Sequence, residues 1–121
     1  MVTSWSNIVH FSATGNDCCS YGDRAPAVWF YPGQHRLHII DGQPSVGNDE
    51  CVIRDVLQPN RPYAIRIAVH ERSVAVSIDG VQKCLEPRAE RQKLSNVHVY
   101  ASDPWYEPAH ATIADLTMTS P

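Results

Sequence analysis

The chain has no apolar run that approaches the roughly 18 residues needed to cross a bilayer, so we expect no membrane insertion. Positive charge is also scarce. Ten Lys and Arg residues are outnumbered by thirteen Asp and Glu residues, and the net charge is −3. Because a protein that follows a nucleic-acid backbone needs a basic surface, no nucleic-acid partner is expected.

Motifs for metal binding by cysteine or histidine, and for nucleophilic catalysis, are lacking as well. The four cysteines form no Cys-x-x-Cys pair, and no His-x₃-His spacing or Ser-His-Asp order accompanies them. Four of the six histidines alternate with apolar neighbours, which predicts solvent-facing positions on strands. They are His10, His38, His70 and His98. We therefore expect that the protein is not an enzyme.

The 121 residues fit one domain, 1–121, with a single core. The start of the chain shows no signal-peptide pattern, but four cysteines in a domain of this size fit an extracellular or secreted protein. Adjacent Cys18 and Cys19 bond each other only through a strained ring. We therefore expect a disulfide from this pair to Cys51 or Cys84, which would tie the first loop to the body of the domain. Buried free thiols are the alternative.

Short runs of alternating apolar residues, bounded by turn residues, predict an all-β fold. Alternation is clearest at 63–69 and 74–78, where Tyr63, Ile65, Ile67 and Val69 are expected on the core face. Asp79-Gly80 supplies a type I′ turn and Pro32-Gly33 a second hairpin turn. Further strands are predicted at 8–13, 27–31, 37–40, 51–56, 81–85, 97–101 and 111–118. Residues 86–93 are expected to form a loop or a single turn.

About nine short strands with close turns predict an antiparallel two-sheet β-sandwich of the jelly-roll type. Two segments between strands, 16–24 and 102–108, carry most of the unusual side chains, because each mixes carboxylates with aromatic rings. A ring can stack on the apolar face of a sugar, while carboxylates bind its hydroxyls or Ca²⁺. The expected ligand-binding residues are Asn16, Asp17, Asp23, Arg24, Asp103, Trp105, Tyr106 and Glu107.

These two loops are expected to share one rim of the sandwich. If strand 8–13 pairs antiparallel with strand 111–118, the loop leaving the first lies beside the loop entering the last. Four carboxylates would then repel one another unless a positive charge balanced them. Ca²⁺ is one solution, and pairing of Arg24 with Asp23 or Asp103 is the other. The expected metal ligands are Asp17, Asp23, Asp103 and Glu107.

Ordinary structural roles explain the same residues individually. Large aromatic side chains such as Trp105 and Tyr106 commonly fill the end of a sandwich. Asp103 before a proline commonly starts a turn, since Asp bonds its own downstream backbone. An ion pair between Asp23 and Arg24 could brace the first loop.

Residues 63–85 resemble the central hairpin of laminin-G-like and concanavalin-A-like lectin domains, with a strand, a tight turn, and a strand ending in Asp79-Gly80. The stretches 16–27 and 97–106 are similar to invertebrate lectin-like modules of this superfamily. The resemblance implies a concanavalin-A-like jelly roll and carbohydrate binding. The Glu-x-Asp-x-Glu stripe of the glucanases that share this sandwich is lacking, so hydrolysis is not implied.

Together these features predict a carbohydrate-binding module whose partner is a glycan and whose binding uses Ca²⁺ or the carboxylates directly. A protein-binding adhesion module of the laminin-G type, without catalytic activity, is the alternative, and it would show a large exposed apolar patch. A purely structural domain in a larger assembly, whose loops would be fully buried or would satisfy their own polar groups, is the third class. Because a shallow lectin site gains avidity from a second copy, a homodimer is expected.

Overall fold

The computed structural model describes residues 2–42, 48–89 and 94–119. These residues form nine strands and no helix, which confirms the predicted all-β class. It follows that no helix in the described ranges is long and apolar enough to span a membrane. The strands are β1 (Ser6–Ser12), β2 (Ala27–Phe30), β3 (Arg36–Ile40), β4 (Glu50–Val56), β5 (Ile65–Val69), β6 (Ser73–Ile78), β7 (Val81–Pro87), β8 (His98–Ala101) and β9 (Glu107–Pro108).

Two sheets contain these strands. The large sheet has the order β4-β3-β2-β1-β8, with β9 as a sixth strand that also pairs with β1, and the small sheet has the order β5-β6-β7. Neighbouring strands are antiparallel except β9, which runs parallel to β1. The β6–β7 turn has the predicted chemistry, since Asp79 and Gly80 have φ values of 51° and 81° and a type I′ turn requires positive φ at both central positions.

The main core lies between the sheets and draws buried side chains from both. Val9, Val28 and Ile39 come from the large sheet, and Val74 and Val76 come from the small one. Residues on β3 and β6 alternate between buried and more exposed positions, as one covered face of a sheet requires, whereas β1 and β2 are buried along most of their length. The two sheets therefore form one packed unit.

A disulfide between Cys51 on β4 and Cys84 on β7 also joins the two sheets. The remaining cysteines, Cys18 and Cys19, are paired with each other. The prediction that a disulfide would tie the first loop to the body of the domain was therefore wrong. Cys51 is fully buried in the core and lies opposite β7, so the sheet packing already supplies its partner.

The predicted core face is confirmed for β6 and only partly for β5. Val74, Val76 and Ile78 are buried, but Ile65 and Val69 are each 39% exposed. Tyr63 and Ile67 pack against the core while remaining partly exposed. The side chains of β5 are more exposed because β5 is an edge strand of the small sheet and pairs only with β6 among the described strands.

The predicted last strand at 111–118 was wrong. This segment is irregular and exposed in the structure. Its large apolar residues, Ile113, Leu116 and Met118, are exposed and do not follow the period of two that a half-buried strand requires. The edge of β1 that this segment was expected to occupy is taken by β8 and by the short strand β9.

Residues 86–93 also differ from the prediction. Glu86 and Pro87 extend β7 rather than starting a loop, residues 88–89 are irregular, and residues 90–93 lie outside the described part of the chain.

A second, smaller cluster covers the opposite face of the large sheet, which we call the outer face. It contains the buried residues Ala27, Trp29 and Ile40, with Trp5 and Tyr106 packed against them. The outer face is therefore not a simple solvated surface. It is the platform on which the two unusual loops are held.

Candidate functional site

The two unusual loops meet on the outer face. The first loop is 13–26, between β1 and β2, and the second loop is 102–106, between β8 and β9. The chain leaving β8 turns back along β1, where the Ser102 N–H donates to the Ile8 carbonyl at 3.0 Å. This return brings Tyr106 to the first loop, where Arg24 Nη2 donates to its hydroxyl at 2.9 Å. The loops are neighbours as the sequence predicted, but β8 and β9 create the contact.

His10 on β1 connects both loops. The residue is completely buried, and its Nδ1 lies 2.7 Å from Asp103 Oδ2 while its Nε2 lies 2.7 Å from the Asp23 carbonyl oxygen. Carboxylate and carbonyl oxygens are acceptors, so both ring nitrogens are assigned as N–H donors. This assignment makes the contact between His10 and Asp103 a buried ion pair. The expectation that His10 faces solvent was wrong.

Asp103 organises the second loop around this pair. Its Oδ1 accepts the N–H groups of Trp105 at 3.1 Å and Tyr106 at 3.0 Å, and its own N–H donates to Asn7 Oδ1 at 3.0 Å. An Asp side chain that accepts downstream backbone N–H groups is the turn chemistry expected before a proline. Asp103 is buried, so its role in the structure is to fix the two aromatic residues that follow it.

Asp23 has the corresponding role in the first loop. Its carboxylate accepts the Thr14 hydroxyl and the Ser20 N–H, the latter at 2.9 Å. Its backbone N–H also donates to the Ser20 carbonyl at 3.1 Å. Asp23 is 2% exposed, and these bonds close the loop on itself. The carboxylate therefore braces the loop from within.

Asp17 in the first loop contacts the second loop through Tyr106, and its side chain is 29% exposed. Its Oδ1 accepts Arg24 Nη2 at 3.1 Å, and its Oδ2 accepts the Tyr106 hydroxyl at 3.1 Å. Arg24 also donates to the Asp17 carbonyl and to Asn48 Oδ1, and its guanidinium lies 4.5 Å from the centre of the Trp29 ring. We call Asp17, Arg24, Trp105 and Tyr106 the rim site.

The electrostatics of the rim site keep the tyrosine hydroxyl protonated. Burial raises the pKa of Tyr106, the charge of Arg24 opposes this shift, and the charge of Asp17 adds to it. Tyr106 therefore remains a hydrogen-bond donor at neutral pH. Because Arg24 pairs with Asp17, the expectation that it would pair with Asp23 or Asp103 was wrong.

The charge that suggested Ca²⁺ is largely balanced by the protein itself. Asp17 has Arg24 and Tyr106 as donors, and Asp103 has His10. Ligand atoms of His10, Asp17 and Asp103 do lie within 4.8 Å of one another, but these side chains already hydrogen-bond to groups of the protein. Asp23 and Glu107, the other two expected ligands, are not members of this group.

The remaining predicted residues lie at the margin of the site. Trp105 is 38% exposed, with its ring against His10 at 5.2 Å and Tyr100 at 5.4 Å between centroids. Asn16 is exposed and contributes its backbone, through its carbonyl to Ser12 and its N–H to Thr14. Glu107 is exposed in β9, where it pairs with Ser6 of β1.

A second polar cluster on the outer face was missed by the sequence reasoning. Glu50 Oε2 accepts the Tyr31 hydroxyl and bonds His38 Nδ1 at 2.9 Å, and the Trp5 ring packs against both partners. Burial and the bond to Glu50 raise the pKa of Tyr31 to about 12. We call Trp5, Tyr31, His38 and Glu50 the Glu50 cluster.

His38 was expected to face solvent, and this was also wrong, because only 17% of its side chain is exposed. Burial lowers the pKa of His38, while the bond to Glu50 partly offsets this shift. A partial signal for the cluster existed in the sequence, since His38 lies in the predicted strand 37–40 and Glu50 directly precedes the predicted strand 51–56. His70 and His98 are exposed, as expected.

No protein-family model, curated protein or solved structure matches this chain.

Proposed function

We propose that this chain is a carbohydrate-binding module that recognises a glycan at the rim site. The observation that carries the proposal is the Asp17 carboxylate, which is partly exposed and is held by donors from both loops. Trp105 directly precedes Tyr106 in the second loop and is the more exposed ring of the two. A fixed carboxylate and an exposed indole, supplied by two loops that meet, are groups suited to bind sugar hydroxyls and the apolar face of a sugar ring.

The geometry favours binding over catalysis. Arg24 and Tyr106 orient Asp17 before any ligand arrives, so little side-chain freedom is lost when a sugar hydroxyl donates to the carboxylate. Asp23 and Asp103 contribute indirectly, by holding the backbone of the loops. Within this proposal, Asn16 and Glu107 contact only the outer parts of a glycan.

The fold and the cysteine pairs fit the same proposal. We propose that the two sheets form a concanavalin-A-like jelly roll, in line with the resemblance of residues 63–85 to lectin domains. The paired cysteines are compatible with an extracellular protein. Monovalent affinity at an open rim should be weak, on the order of millimolar, or roughly −4 kcal/mol. A homodimer would raise the avidity.

The direct test is calorimetry of the purified chain against simple sugars, preceded by a glycan array to select them. Asp17→Asn should abolish binding because it removes the charged acceptor, and Trp105→Ala should weaken it by removing the stacking surface. Asp115→Asn, an exposed change outside both loops, is the matched control and should bind as the wild type does. Absence of binding to every sugar would refute the proposal.

The dependence on Ca²⁺ stays a prediction within this proposal. Repeating the titrations with EDTA separates two mechanisms. If a sugar binds equally well with EDTA present, the carboxylates act directly, as the Arg24 and His10 pairs suggest. If EDTA abolishes binding, a cation must displace some of these pairs, and Asp17 and Asp103 are the carboxylates placed to bind it.

A protein-binding adhesion module is the second candidate, favoured by one observation. Three apolar side chains on adjoining strands are strongly exposed: Val56 on β4 is 63% exposed, and Val81 and Leu85 on β7 are 57% and 58% exposed. Exposed apolar side chains favour contact with a protein where they form one continuous patch. Loss of cell adhesion in Leu85→Ser, with no sugar binding by the wild type, would favour this candidate.

A further inference from the structure

The Glu50 cluster repeats the chemistry of the rim site at another place on the outer face. In the rim site, Asp17 accepts a tyrosine hydroxyl and a cationic donor. In the Glu50 cluster, the carboxylate accepts the Tyr31 hydroxyl and bonds His38 Nδ1. The Glu50 side chain is 24% exposed, close to the value for Asp17. Each carboxylate is thus fixed by donors while part of it stays accessible.

Glu50 also keeps capacity to accept further hydrogen bonds. Both of its bonds are made to Oε2, so Oε1 has no hydrogen-bond partner within the ranges that the structure describes. A carboxylate can accept about four hydrogen bonds through its two oxygens. Because burial lowers the pKa of His38, this ring bonds Glu50 as a neutral partner at neutral pH. A ligand with hydroxyl groups would donate to the remaining acceptor positions of the Glu50 carboxylate.

Trp5 supplies the aromatic surface of this cluster. Its ring lies 4.9 Å from Tyr31 and 4.6 Å from His38, between centroids, and Trp5 itself is partly exposed. The three rings touch one another, so they leave no gap for an ammonium ion of the kind that an aromatic cage encloses. A flat ligand stacked on the accessible part of Trp5 fits this arrangement.

The two clusters belong to the same face and are joined by one buried ring. Trp29 lies 5.5 Å from Tyr106 of the rim site and 5.7 Å from His38 of the Glu50 cluster, between ring centroids. Trp5 and Tyr106 both pack against the small cluster built on Trp29. A single extended ligand lying on the outer face could therefore contact both carboxylates.

We propose that the Glu50 cluster is a second sugar subsite, and that the ligand of this module is an oligosaccharide that spans the outer face from Trp105 to Trp5. The inference rests on the proposed function of the rim site, which it extends. Glu50 accepts hydroxyls of the distal sugar, and Trp5 stacks on that sugar. Two linked contacts bind more tightly than either alone, because the second forms within the complex.

The test compares each monosaccharide that binds, among glucose, galactose, mannose and N-acetylglucosamine, with the oligosaccharides built from it. Calorimetry should show at least about a tenfold gain in affinity for an oligosaccharide. Glu50→Gln and Trp5→Ala should remove this gain and leave monosaccharide affinity unchanged, whereas Asp17→Asn should abolish both. Asp55→Asn, which neutralises another carboxylate on β4, is the matched control and should keep the gain.

NMR of the wild-type chain provides a second measurement that does not depend on how the variants fold. An oligosaccharide should shift the resonances of the Trp5 indole and the His38 ring, and the monosaccharide should not. The inference is overturned if no oligosaccharide binds more tightly than its monosaccharide, if Glu50→Gln keeps the full gain, or if the Trp5 and His38 signals do not move. If the wild type binds no sugar, the rim-site proposal fails together with this one.

Discussion

Asp103→Ala should be one of the most destabilising single changes in the second loop. It removes the acceptor of the His10 Nδ1–H and the acceptor of the Trp105 and Tyr106 N–H groups. His10 is completely buried, so water does not replace the lost partner. Removing one partner of a buried ion pair costs about 3–5 kcal/mol. The free energy of unfolding of a small domain is about 5–15 kcal/mol. The variant should therefore still fold, but it should lose a large part of its stability.

Asp103→Asn should behave very differently. The amide oxygen can still accept the N–H groups of Trp105 and Tyr106, and the amide nitrogen can donate to His10 Nδ1. His10 then becomes neutral, with Nε2–H still donating to the Asp23 carbonyl. Every buried polar atom keeps a partner, so we expect a loss of about 1 kcal/mol.

Chemical denaturation of the wild type and both variants measures the two free-energy losses, with exposed Asp115→Asn as a control expected near zero, because Asn tolerates the φ of 54° at this position. NMR of the His10 ring gives an independent signature. Both ring nitrogens should be protonated in the wild type, and only Nε2 in Asp103→Asn. Equal losses in the two variants, or a wild-type ring with one proton, would refute the assignment of a buried charged pair.

Three further predictions concern the body of the domain. Replacing Cys51 and Cys84 by serine should lower the free energy of unfolding by about 4 kcal/mol, because their disulfide closes a loop with a sequence separation of 33. A difference between wild type and variant that is smaller without a reducing agent than with one would contradict this. Ile39→Ala, at a fully buried position, should cost about 2–5 kcal/mol, and Ile65→Ala, at a position 39% exposed, should cost less than half as much in the same assay. The pKa of His38 is lowered in the folded state. The stability that the neutral His38 ring contributes is therefore fully present above the unfolded pKa of about 6.5, and it is lost as pH falls below that value. His38→Gln should therefore show a smaller acid-induced loss of stability than the wild type between pH 7 and pH 5, and an identical pH profile would contradict this.

Local patterns in the sequence predicted most of the strands because alternation and turn chemistry are local. The Asp79-Gly80 turn and the buried face of β6 follow directly from them. The segment 111–118 shows the limit of this reasoning. Its composition suggests a strand, but whether it can pair depends on which strand occupies the edge of β1, and β8 and β9 do. Edge occupancy is decided by the whole sheet.

The candidate site was predictable in its composition and not in its internal pairing. Mixed aromatic and acidic residues marked both loops, yet the partner of Asp103 is His10, 93 positions away. An alternating pattern places a histidine on a strand face without showing whether loops cover that face. The same limit hid the Glu50 cluster, because His38 looks solvated until Trp5 and Tyr31 are placed against it.

The two hydrogen bonds of the His10 ring have a consequence for the motion of the two loops. One ring holds the first loop through the Asp23 carbonyl and the second loop through Asp103, so neither loop can leave the sheet without exposing a buried charge. The loops should therefore open as one cooperative unit rather than fluctuate independently. In amide hydrogen exchange, the Ser20 and Tyr106 N–H groups, which lie in different loops, should share one opening free energy. A ligand bound to either loop should slow exchange in both.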